Sequence, residues 1–313
     1  MTAPIGVVTN PRSGGQHDAR VLAFVLGEEG EVVAPGDLDA LTAHARRFRE
    51  RGIGTLCIDG GDGTIHRALT AMVRVYGEAD LPPVAILRSG TMNNVAASTG
   101  QRLSSAEMLR VVVEARAAGR SLPTTARRLM SLDSADGGPS YGFLVGAGLV
   151  ARFLELYDEH RSPSVVLAGT LFARAVTAAL FGGRLSRDLD RPFEGTVTFD
   201  DRPLSGTRFT AVAVSTIEQL GFGFRVFHEL TKAPDRLQLV AITGSLGSLA
   251  FELPRLYAGS GVRAAGNTSA TGSTVTLGSA APFPYVIDGD PYVASSGTLR
   301  ISLGPSVTFL RGG

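Results

Sequence analysis

Cysteine, lysine and net charge are all scarce in this sequence, and each shortage excludes a class of protein. Cys57 is the only cysteine among 313 residues, so no internal disulfide can form. Because it lies in the apolar run Ile53–Ile58, we predict a small buried hydrophobe and not a reactive thiol. The formal net charge of +1 argues against a broadly basic surface, although arginine is abundant where lysine is nearly absent. We expect no nucleic-acid partner.

Patterns typical of a signal peptide or a membrane-spanning helix are not evident in the sequence either. The first residues, MTAPIGVVTNP, show no basic region followed by an apolar stretch, so no signal peptide is predicted. The most apolar segment, Ser164–Phe181, contains Arg174 and several small residues. It barely reaches spanning length, roughly 18 residues, and we interpret it as a helix that covers a core or a lipid-facing cleft. The expected location is the cytoplasm, with peripheral contact at the inner membrane surface and a homodimer both left open.

The residues that are present indicate a folded chain of two domains. Hydrophobic residues make up 44% of the sequence and charged residues 19%, so no disordered segment is expected. The 39 glycines stand between apolar runs, which predicts many tight turns and loops closely approached by backbone or ligand. A chain of 313 residues is long for one core. Near Leu122-Pro123 the alternation of strand-like and helix-like patterns gives way to short strand-like segments, which predicts domains at 1–122 and 123–304.

The first 120 residues alternate between strand-like and helix-like patterns. Predicted strands lie at Ile5–Thr9, Ile53–Ile58 and Val84–Leu87. Predicted helices lie at Ala19–Glu29, Leu38–Arg51, Thr64–Tyr76, Met92–Ser98 and Ser105–Ala118. This alternation predicts a three-layer α/β nucleotide-binding domain, with a parallel sheet between two layers of helices. Because ligands bind beyond the carboxyl ends of such strands, the glycine-bearing turns that follow the three strands should converge at one edge.

Beyond Leu122, short alternating segments predict a larger β-rich, sandwich-like domain. Its predicted strands are Tyr141–Val145, Gly195–Phe199, Phe209–Val214, Leu237–Thr243, Ser273–Leu277, Tyr285–Asp288, Thr298–Ser302 and Val307–Leu310. Helical patterns interrupt them near 149–160, 164–181 and 246–258. The predicted fold class is therefore α/β, with an N-terminal α/β domain followed by a β-rich domain.

The turn Gly60–Thr64, Gly-Gly-Asp-Gly-Thr, is the most informative motif for chemistry. Its three glycines let backbone N–H groups approach phosphate oxygens, and a following helix N-terminus adds a favourable dipole. Thr64 can cap that helix or bond a phosphate. A carboxylate beside phosphates is repulsive unless a cation lies between them, so Asp62 indicates Mg²⁺ coordination, direct or through water. The alternative is an ordinary strand-to-helix turn with Asp62 as a capping group.

A second strand-to-helix turn, Arg88–Asn94, follows the next predicted strand. Gly90 permits the turn, Thr91 can donate to a phosphate, and Asn93 or Asn94 can cap the next helix. Taken alone this pattern is a common helix start, and its position one strand after Gly60–Thr64 is what favours a phosphate-binding role.

A third turn, Asn10–Gly15, follows the first predicted strand. Ser13 and the amides around Gly14 can reach phosphate, and Arg12 can neutralise its charge. Alone, this turn is more typical of an ordinary loop.

Paired carboxylates occur late in the chain, in Asp288-Gly289-Asp290, directly after an apolar strand. Such a pair at a strand end can deprotonate a substrate hydroxyl or bind a metal. A plain Asp-Gly hairpin turn explains the same residues.

Together, and in this order, the four motifs resemble the catalytic-domain family of diacylglycerol, sphingosine and ceramide kinases, which includes bacterial lipid kinases. That family shows Asn-Pro-x-Ser/Ala-Gly, Gly-Gly-Asp-Gly-Thr, Gly-Thr-x-Asn-Asp and Asp-Gly-Glu. The chain has their equivalents at Asn10–Gly14, Gly60–Thr64, Gly90–Asn94 and Asp288–Asp290. The resemblance spans essentially the full chain. It implies a cleft between the two domains and a last segment, 305–313, that returns to the first domain.

The resemblance also implies an activity: ATP- and Mg²⁺-dependent phosphorylation of a hydroxyl on a lipid or lipid-like alcohol. The nucleotide contacts would come from Asn10, Arg12, Ser13, Gly14, Gly60, Gly61, Asp62, Gly63, Thr64, Gly90, Thr91 and Asn94. Asp288 or Asp290 would activate the acceptor hydroxyl, and Asp62 would act with Mg²⁺. The family's structural magnesium site has one matching residue in this chain, Asp235.

The chain departs from the family pattern at three places. Asn94 replaces an aspartate, and His66-Arg67 replace Asn-Glu, with His66 expected at a surface or interface. Asp290 replaces a glutamate and moves the carboxylate by about an ångström, a shift that can cost catalysis about 10²-fold. These departures leave two alternatives open. One is an NAD-kinase-like enzyme, which shares Gly-Gly-Asp-Gly-Thr, and the other is a non-catalytic nucleotide- or lipid-binding regulator.

Overall fold

A computed structural model describes the chain over residues 3–10, 19–90, 92–134, 138–159 and 165–312. The chain divides into two compact units, residues 1–129 with 304–313 and residues 130–303. The predicted boundary at Leu122-Pro123 lies earlier, because the strand Thr124–Asp133 begins within the first unit.

The first unit alternates strands and helices. Its strands are β1 (Ile5–Thr9), β2 (Gly30–Val33), β3 (Thr55–Gly60), β4 (Val84–Arg88) and the beginning of β5 (Thr124–Asp133). Its helices are α1 (Ala19–Leu26), α2 (Leu38–Glu50), α3 (Asp62–Tyr76), α4 (Asn94–Ser98) and α5 (Ser105–Ala117). The strands lie in the order β2-β1-β3-β4 and pair in parallel, and the end of the last strand, Thr298–Leu310, pairs with β4 in parallel through Phe309 and Val84.

Helices cover both faces of this sheet, as the sequence predicted. On one face, α1 and α5 pack Leu22, Leu26 and Val112 against alternating residues of β1, β3 and β4. On the other face, Phe48 of α2 lies over Gly6 of β1, where an added Cβ would come within 2.8 Å of the ring. Burial from both sides explains why three consecutive residues of β3, Leu56, Cys57 and Ile58, are all apolar.

Cys57 belongs to this core. Its side chain is fully buried, and burial raises the pKa of its thiol to about 12. A thiol with such a pKa is protonated at neutral pH and has little nucleophilic character. The residue therefore has the packing role that its apolar surroundings in the sequence predict.

Local capping residues fix where two of the helices begin. Asp37 accepts a hydrogen bond from the backbone N–H of Ala40 at 2.8 Å and starts α2. Ser104 and Glu107 form a reciprocal capping box at the start of α5.

Strand β2 was not predicted. The predicted helix over Ala19–Glu29 ends at Leu26, because Gly27 takes a positive φ of 56° and a short 3-10 turn follows at Gly27–Glu29. The chain then pairs Gly30–Val33 with β1. Only Val32 and Val33 of this strand are apolar, so its pattern does not stand out in the sequence.

The second unit is built mainly from antiparallel strands. These are β6 (Ser140–Gly142), β7 (Leu144–Gly148), β8 (Phe193–Glu194), β9 (Thr196–Phe199), β10 (Arg202–Pro203), β11 (Arg208–Phe209), β12 (Ala211–Ser215), β13 (Leu237–Ile242), β14 (Thr268–Gly272), β15 (Thr274–Gly278), β16 (Phe283–Ile287), β17 (Asp290–Ala294) and β18 (Thr298–Leu310). The helices are α6 (Leu149–Asp158), α7 (Val165–Phe181), α8 (Arg184–Leu189) and α9 (Leu246–Tyr257), with a 3-10 turn at His228–Thr231.

Two sets of strands in this unit share one core, which gives the predicted sandwich. One set has the order β14-β13-β12-β7-β16-β17, and the other contains β10-β9-β15 and the first half of β18. Val214 and Leu239 from the first set pack with Val275 and Ile301 from the second. The opposite face of the first set packs against helix α9 and the turn at 228–231.

Helix α7 coincides with the predicted apolar helix at 164–181. No helix within the described residues is both long enough and apolar enough to cross a membrane.

Candidate active site

The turn between β3 and α3 holds the Gly-Gly-Asp-Gly-Thr motif. Helix α3 begins at Asp62, two residues earlier than predicted, with Gly61 as its N-cap. A Cβ on Gly60 would collide with the side chain of Thr64, so the turn requires glycine at that position. Thr64 accepts a hydrogen bond from the Asn10 side-chain amide at 3.0 Å, which joins this turn to the end of β1.

The turn after β4 touches the turn after β3. A Cβ on Gly90 would collide with the Cα of Gly61, and a Cβ on Gly61 would lie 3.2 Å from the Cα of Gly90. The parallel register that pairs Gly60 with Arg88 brings the two turns together. The predicted convergence is thus confirmed for the turns that follow β3 and β4.

Asp62 fastens these two turns through its carboxylate. One oxygen accepts from the Asn94 backbone N–H at 2.9 Å and from the Asn94 side-chain amide at 3.1 Å, and the other accepts from the Val95 N–H at 3.1 Å. Asp62 therefore satisfies the first N–H groups of α4. We had expected Asn93 or Asn94 to cap this helix; that prediction is wrong, because the capping carboxylate comes from the neighbouring turn.

Asn93 instead holds the shape of the loop after β4. Its backbone takes the left-handed conformation, with φ of 51°. Its side chain accepts from the Gly90 N–H at 3.1 Å and donates to the Gly90 carbonyl at 2.6 Å. Asparagine tolerates this conformation better than most residues, which explains its place in the motif.

The surroundings of Asp62 act on the pKa of its carboxyl in opposite directions, with a net rise. Burial is the largest influence and raises the pKa of its carboxyl, while the hydrogen bonds from Asn94 and Val95 oppose that rise. A nearby cation would favour the ionised form further, and metal binding requires that form.

Asp59 is a second buried carboxylate at this sheet edge, and the sequence motifs did not identify it. It accepts from the Thr9 hydroxyl at 2.8 Å and from the Ser105 hydroxyl at 2.9 Å. Its carbonyl accepts from the Asn10 N–H at 3.1 Å. Asp59 thus links the end of β1 to the start of α5. The sequence feature that could have identified Asp59 is its position, as an acidic residue directly after the apolar part of a strand.

Several predicted site residues lie outside the described residues, and one lies elsewhere than expected. Arg12, Ser13, Gly14 and Thr91 lie outside the described residues, so their predicted contacts stay predictions. The expectation that His66 lies at a surface is wrong, because only 1% of it is exposed. Arg67 is partly buried and reaches back toward the Gly63 carbonyl at 3.4 Å.

Asp288 and Gly289 form a two-residue hairpin turn in the second unit. Ile287 at the end of β16 pairs with Asp290 at the start of β17. The two turn residues have φ of 48° and 94°, as hairpins of this length require. The predicted Asp-Gly hairpin turn is therefore present. A hairpin is compatible with a chemical role for its carboxylates.

The two carboxylates of this motif have different surroundings. Asp288 is buried, and its two oxygens accept from the N–H groups of Phe143 and Leu144, each at 2.8 Å. Asp290 is only partly buried. The first carboxylate therefore holds the hairpin against the start of β7, and the second is the more accessible to a substrate.

Thr216 is a further polar residue near this hairpin that the motifs did not predict. Its N–H donates to the Phe143 carbonyl at 3.0 Å, and the N–H of Phe143 donates to Asp288. Only 4% of Thr216 is exposed, and its hydroxyl has no hydrogen-bond partner among the residues that the structure describes. A buried hydroxyl without a partner is costly, which marks it as a candidate ligand-binding group.

The predicted metal site at Asp235 has no structural support. Asp235 is exposed in the turn before β13. Across the described part of the chain, no group of three or more His, Cys, Asp or Glu side chains is placed to hold a metal ion. A single exposed carboxylate is too few ligands for a dedicated site.

The fold is similar to that of several solved structures. It matches the crystal structure of a diacylglycerol kinase from Bacillus anthracis str. Sterne over 99% of this chain and 97% of that one, with a TM-score of 0.64 and 13% identity. It also matches an NAD kinase from Archaeoglobus fulgidus, solved in complex with ATP, over 98% of this chain and 93% of that one, with a TM-score of 0.50 and 12% identity. At these identities the likeness establishes the fold alone.

Part of the sequence is similar to one protein family. Residues 4–120 match the diacylglycerol kinase catalytic domain, which confirms the resemblance that the motifs carry. The lipid kinase YegS of Escherichia coli (strain K12) is 33% identical over 100 residues, 30% of this chain and 32% of that protein. YegS of Shigella flexneri is 27% identical over 138 residues, 42% of this chain and 45% of its own length. The matched part thus spans less than half the length of these curated relatives.

Proposed function

We propose that this protein is an ATP- and Mg²⁺-dependent kinase that phosphorylates a hydroxyl group of a lipid or lipid-like alcohol. The observation that carries the proposal is the contact between the turns at Gly61 and Gly90, fastened by Asp62. Together with the family match at residues 4–120, this contact supports a phosphate site at the carboxyl ends of β3 and β4.

The backbone of Gly60–Thr64 would bind the phosphates. Helix α3 begins inside this turn, so its first N–H groups have no partner within the helix and are directed at an anion-binding position. Gly60 and Gly90 have no room for a side chain, which keeps the backbone accessible. Arg12, Ser13 and Thr91 would add side-chain contacts.

Asp62 would hold Mg²⁺ beside those phosphates. A carboxylate has about four acceptor positions, and Asn94 and Val95 occupy three of them, which leaves room for one direct or water-mediated contact. This suits Mg²⁺, which keeps several waters and phosphate oxygens and takes only one or two protein carboxylates. When bound, the ion would neutralise charge on the transferred phosphoryl group.

Asp290 would accept the proton of the acceptor hydroxyl. Both oxygens of Asp288 already accept backbone N–H groups, so that residue is better described as positioning the hairpin. The hydroxyl of Thr216, beside Phe143, would then bind the acceptor or a water that orients it. A general base of this kind contributes about 10²–10⁴ to the rate.

Asn94 is compatible with activity even though it departs from the family pattern. Its side-chain amide donates to Asp62, a hydrogen bond that an aspartate at this position would replace with repulsion. The exchange lowers the negative charge near the phosphates while keeping the loop in place. It therefore favours an altered magnesium requirement over loss of nucleotide binding.

An NAD-kinase-like activity is the second candidate, because the fold also matches an NAD kinase. One experiment separates it from the lipid kinase and from a non-catalytic binding protein. The full chain is incubated with γ-labelled ATP, Mg²⁺ and, in parallel, diacylglycerol, ceramide, sphingosine or NAD. We expect label in a lipid phosphomonoester. Label in NADP would favour the second candidate, and calorimetric binding of ATP without any transfer would favour the binding protein.

A further inference from the structure

Helix α7 presents an apolar face that the rest of the described chain leaves uncovered. Ala168, Leu171 and Ala178 are buried on its inner side. On its outer side, Val166 is 79% exposed and Phe181 is 85% exposed. The two lie at opposite ends of the helix, about 22 Å apart at the usual rise per residue. Large apolar side chains exposed on one helix face mark a candidate surface for binding a partner or a membrane.

The polar groups on this outer face are satisfied within the helix. The Thr170 hydroxyl donates to the Val166 carbonyl at 2.8 Å, and the Thr177 hydroxyl donates to the Ala173 carbonyl at 2.9 Å. Both threonines are thus relieved of their need for a water partner. The face can enter an apolar environment without leaving hydroxyl donors unpaired.

The charged residues that line the groove beside this face are basic. A shallow groove runs along α7 and α8, and the charged residues that line it are Arg174 and Arg184, with no acidic residue among its described lining. Neither arginine forms an ion pair with any residue in the described part of the chain. Arginine side chains at the edge of an apolar surface are typical of proteins that bind anionic lipid.

Helix α9 adds aromatic side chains next to α7. The helices pack together, with Gly247 of α9 against the Ala179 carbonyl, where an added Cβ would lie 3.2 Å away. Aromatic rings extend this contact. The ring of Phe224 packs edge to face with Phe172 of α7 at a centroid distance of 5.3 Å and with Tyr257 of α9 at 5.4 Å. Phe251 of α9 is 77% exposed. Phenylalanine is among the residues that interfacial helices bury at the boundary between lipid headgroups and acyl chains.

We propose that this outer face of α7, with Phe251 of α9, docks on the surface of an anionic lipid bilayer. The apolar side chains enter the headgroup boundary while Arg174 and Arg184 contact lipid phosphates. A second copy of the chain fits less well. In a two-fold symmetric interface the same arginines would meet each other with no carboxylate on the face to pair them. The proposal concerns membrane binding and stands apart from catalysis.

Vesicle flotation of the full chain tests this surface. We compare vesicles of phosphatidylcholine alone with vesicles that also contain phosphatidylglycerol, without ATP. The wild-type protein should float with the anionic vesicles. Phe181→Ser should weaken that binding about tenfold, because a phenylalanine loses its apolar burial. Arg174→Gln should weaken it about fivefold, the usual effect of one arginine near an anionic surface.

Phe24→Ser is the matched control, because Phe24 is 89% exposed on α1 in the other unit. It should leave vesicle binding unchanged. Circular dichroism of each variant checks that the fold is intact, and transfer to a water-soluble alcohol checks the proposed kinase activity separately. Absence of binding to anionic vesicles, or equal loss with Phe24→Ser, would overturn the proposal. So would a dimer in sedimentation velocity that Phe181→Ser dissociates, since a second copy would then occupy the face.

Discussion

At the scale of single residues, the candidate site depends on how the charge of Asp62 is balanced. The carboxylate is needed twice, once to hold the N-terminus of α4 and once, in the proposed reaction, to act with Mg²⁺. Burial raises the pKa of this carboxyl, and the hydrogen bonds from Asn94 and Val95 oppose the rise. Small changes around it should therefore change both stability and metal response.

The raised pKa of Asp62 predicts a pH effect on stability. Well below its ordinary value of 3.8, the carboxyl is protonated in both the folded and the unfolded chain. As the pH rises, the unfolded chain ionises first, so the folded state loses about 1.4 kcal/mol per unit of pKa shift until the raised pKa is passed. Asp62→Asn removes this contribution. In urea denaturation over a pH series, the wild type should lose stability relative to Asp62→Asn as the pH rises from below 3.8. A relative gain would contradict the account.

Asn94→Asp should make folding depend on magnesium. The change replaces a hydrogen bond to Asp62 with a second carboxylate, and we expect a loss of about 1–2 kcal/mol in the free energy of unfolding without metal. Mg²⁺ between the carboxylates should restore most of that loss.

Asn94→Ala is the control for this variant, since it removes the same hydrogen bond without adding a charge. It should cost about 0.5–1.5 kcal/mol and respond to Mg²⁺ no more than the wild type does. Denaturation curves with and without Mg²⁺ measure both variants. If Asn94→Asp is insensitive to Mg²⁺, Asp62 does not lie where a cation can reach it.

At the scale of elements, the site consists of two strand-to-helix turns in direct backbone contact. The β3 turn requires glycine at position 60 and little side-chain bulk at position 61. The β4 turn is held by the hydrogen bonds between the Asn93 side chain and the Gly90 backbone. Asp59 and Asp62 fasten the elements on either side. Substituting a glycine at the contact should therefore disturb ligand binding more than a glycine elsewhere.

Gly90→Ala is predicted to weaken ATP binding by at least about tenfold, because its Cβ would collide with the Cα of Gly61 and separate the turns. Gly36→Ala is the matched control, since an added Cβ there meets no atom within 4 Å. Isothermal titration calorimetry with ATP and Mg²⁺ measures both. Equal affinities for the two variants would show that nucleotide binding does not depend on this contact.

Much of this arrangement was predictable, and the rest depended on distances that a sequence does not contain. Strand–helix alternation predicted the parallel sheet, and the glycines after β3 and β4 predicted that the two turns meet at one edge of it. The capping of α4 by Asp62 was not predictable, because 32 residues separate Asp62 from Asn94 and only the strand register brings them together. Thr216 was missed for the same reason, since its neighbour Phe143 is distant in the chain.

At the scale of the whole molecule, the chain leaves the first unit after residue 129 and returns to it at 304. The family resemblance implied this return, whereas the sequence pattern predicted two separate strands, Thr298–Ser302 and Val307–Leu310, with Gly304-Pro305 between them. In the structure β18 runs unbroken over Thr298–Leu310. Proline lacks only an N–H donor, so a strand can pass through it where that donor is not needed. Each unit carries part of the proposed chemistry, nucleotide binding in the first and the base in the second.

Phosphoryl transfer from γ-labelled ATP by the full chain, compared with Asp290→Asn, tests the central claim most directly. We predict a labelled lipid phosphomonoester with the wild type. For Asp290→Asn we predict a rate reduced about 10²–10⁴-fold with unchanged calorimetric affinity for ATP, because only the proposed base is lost. No labelled product from any lipid alcohol, or full activity of the variant, would contradict the account.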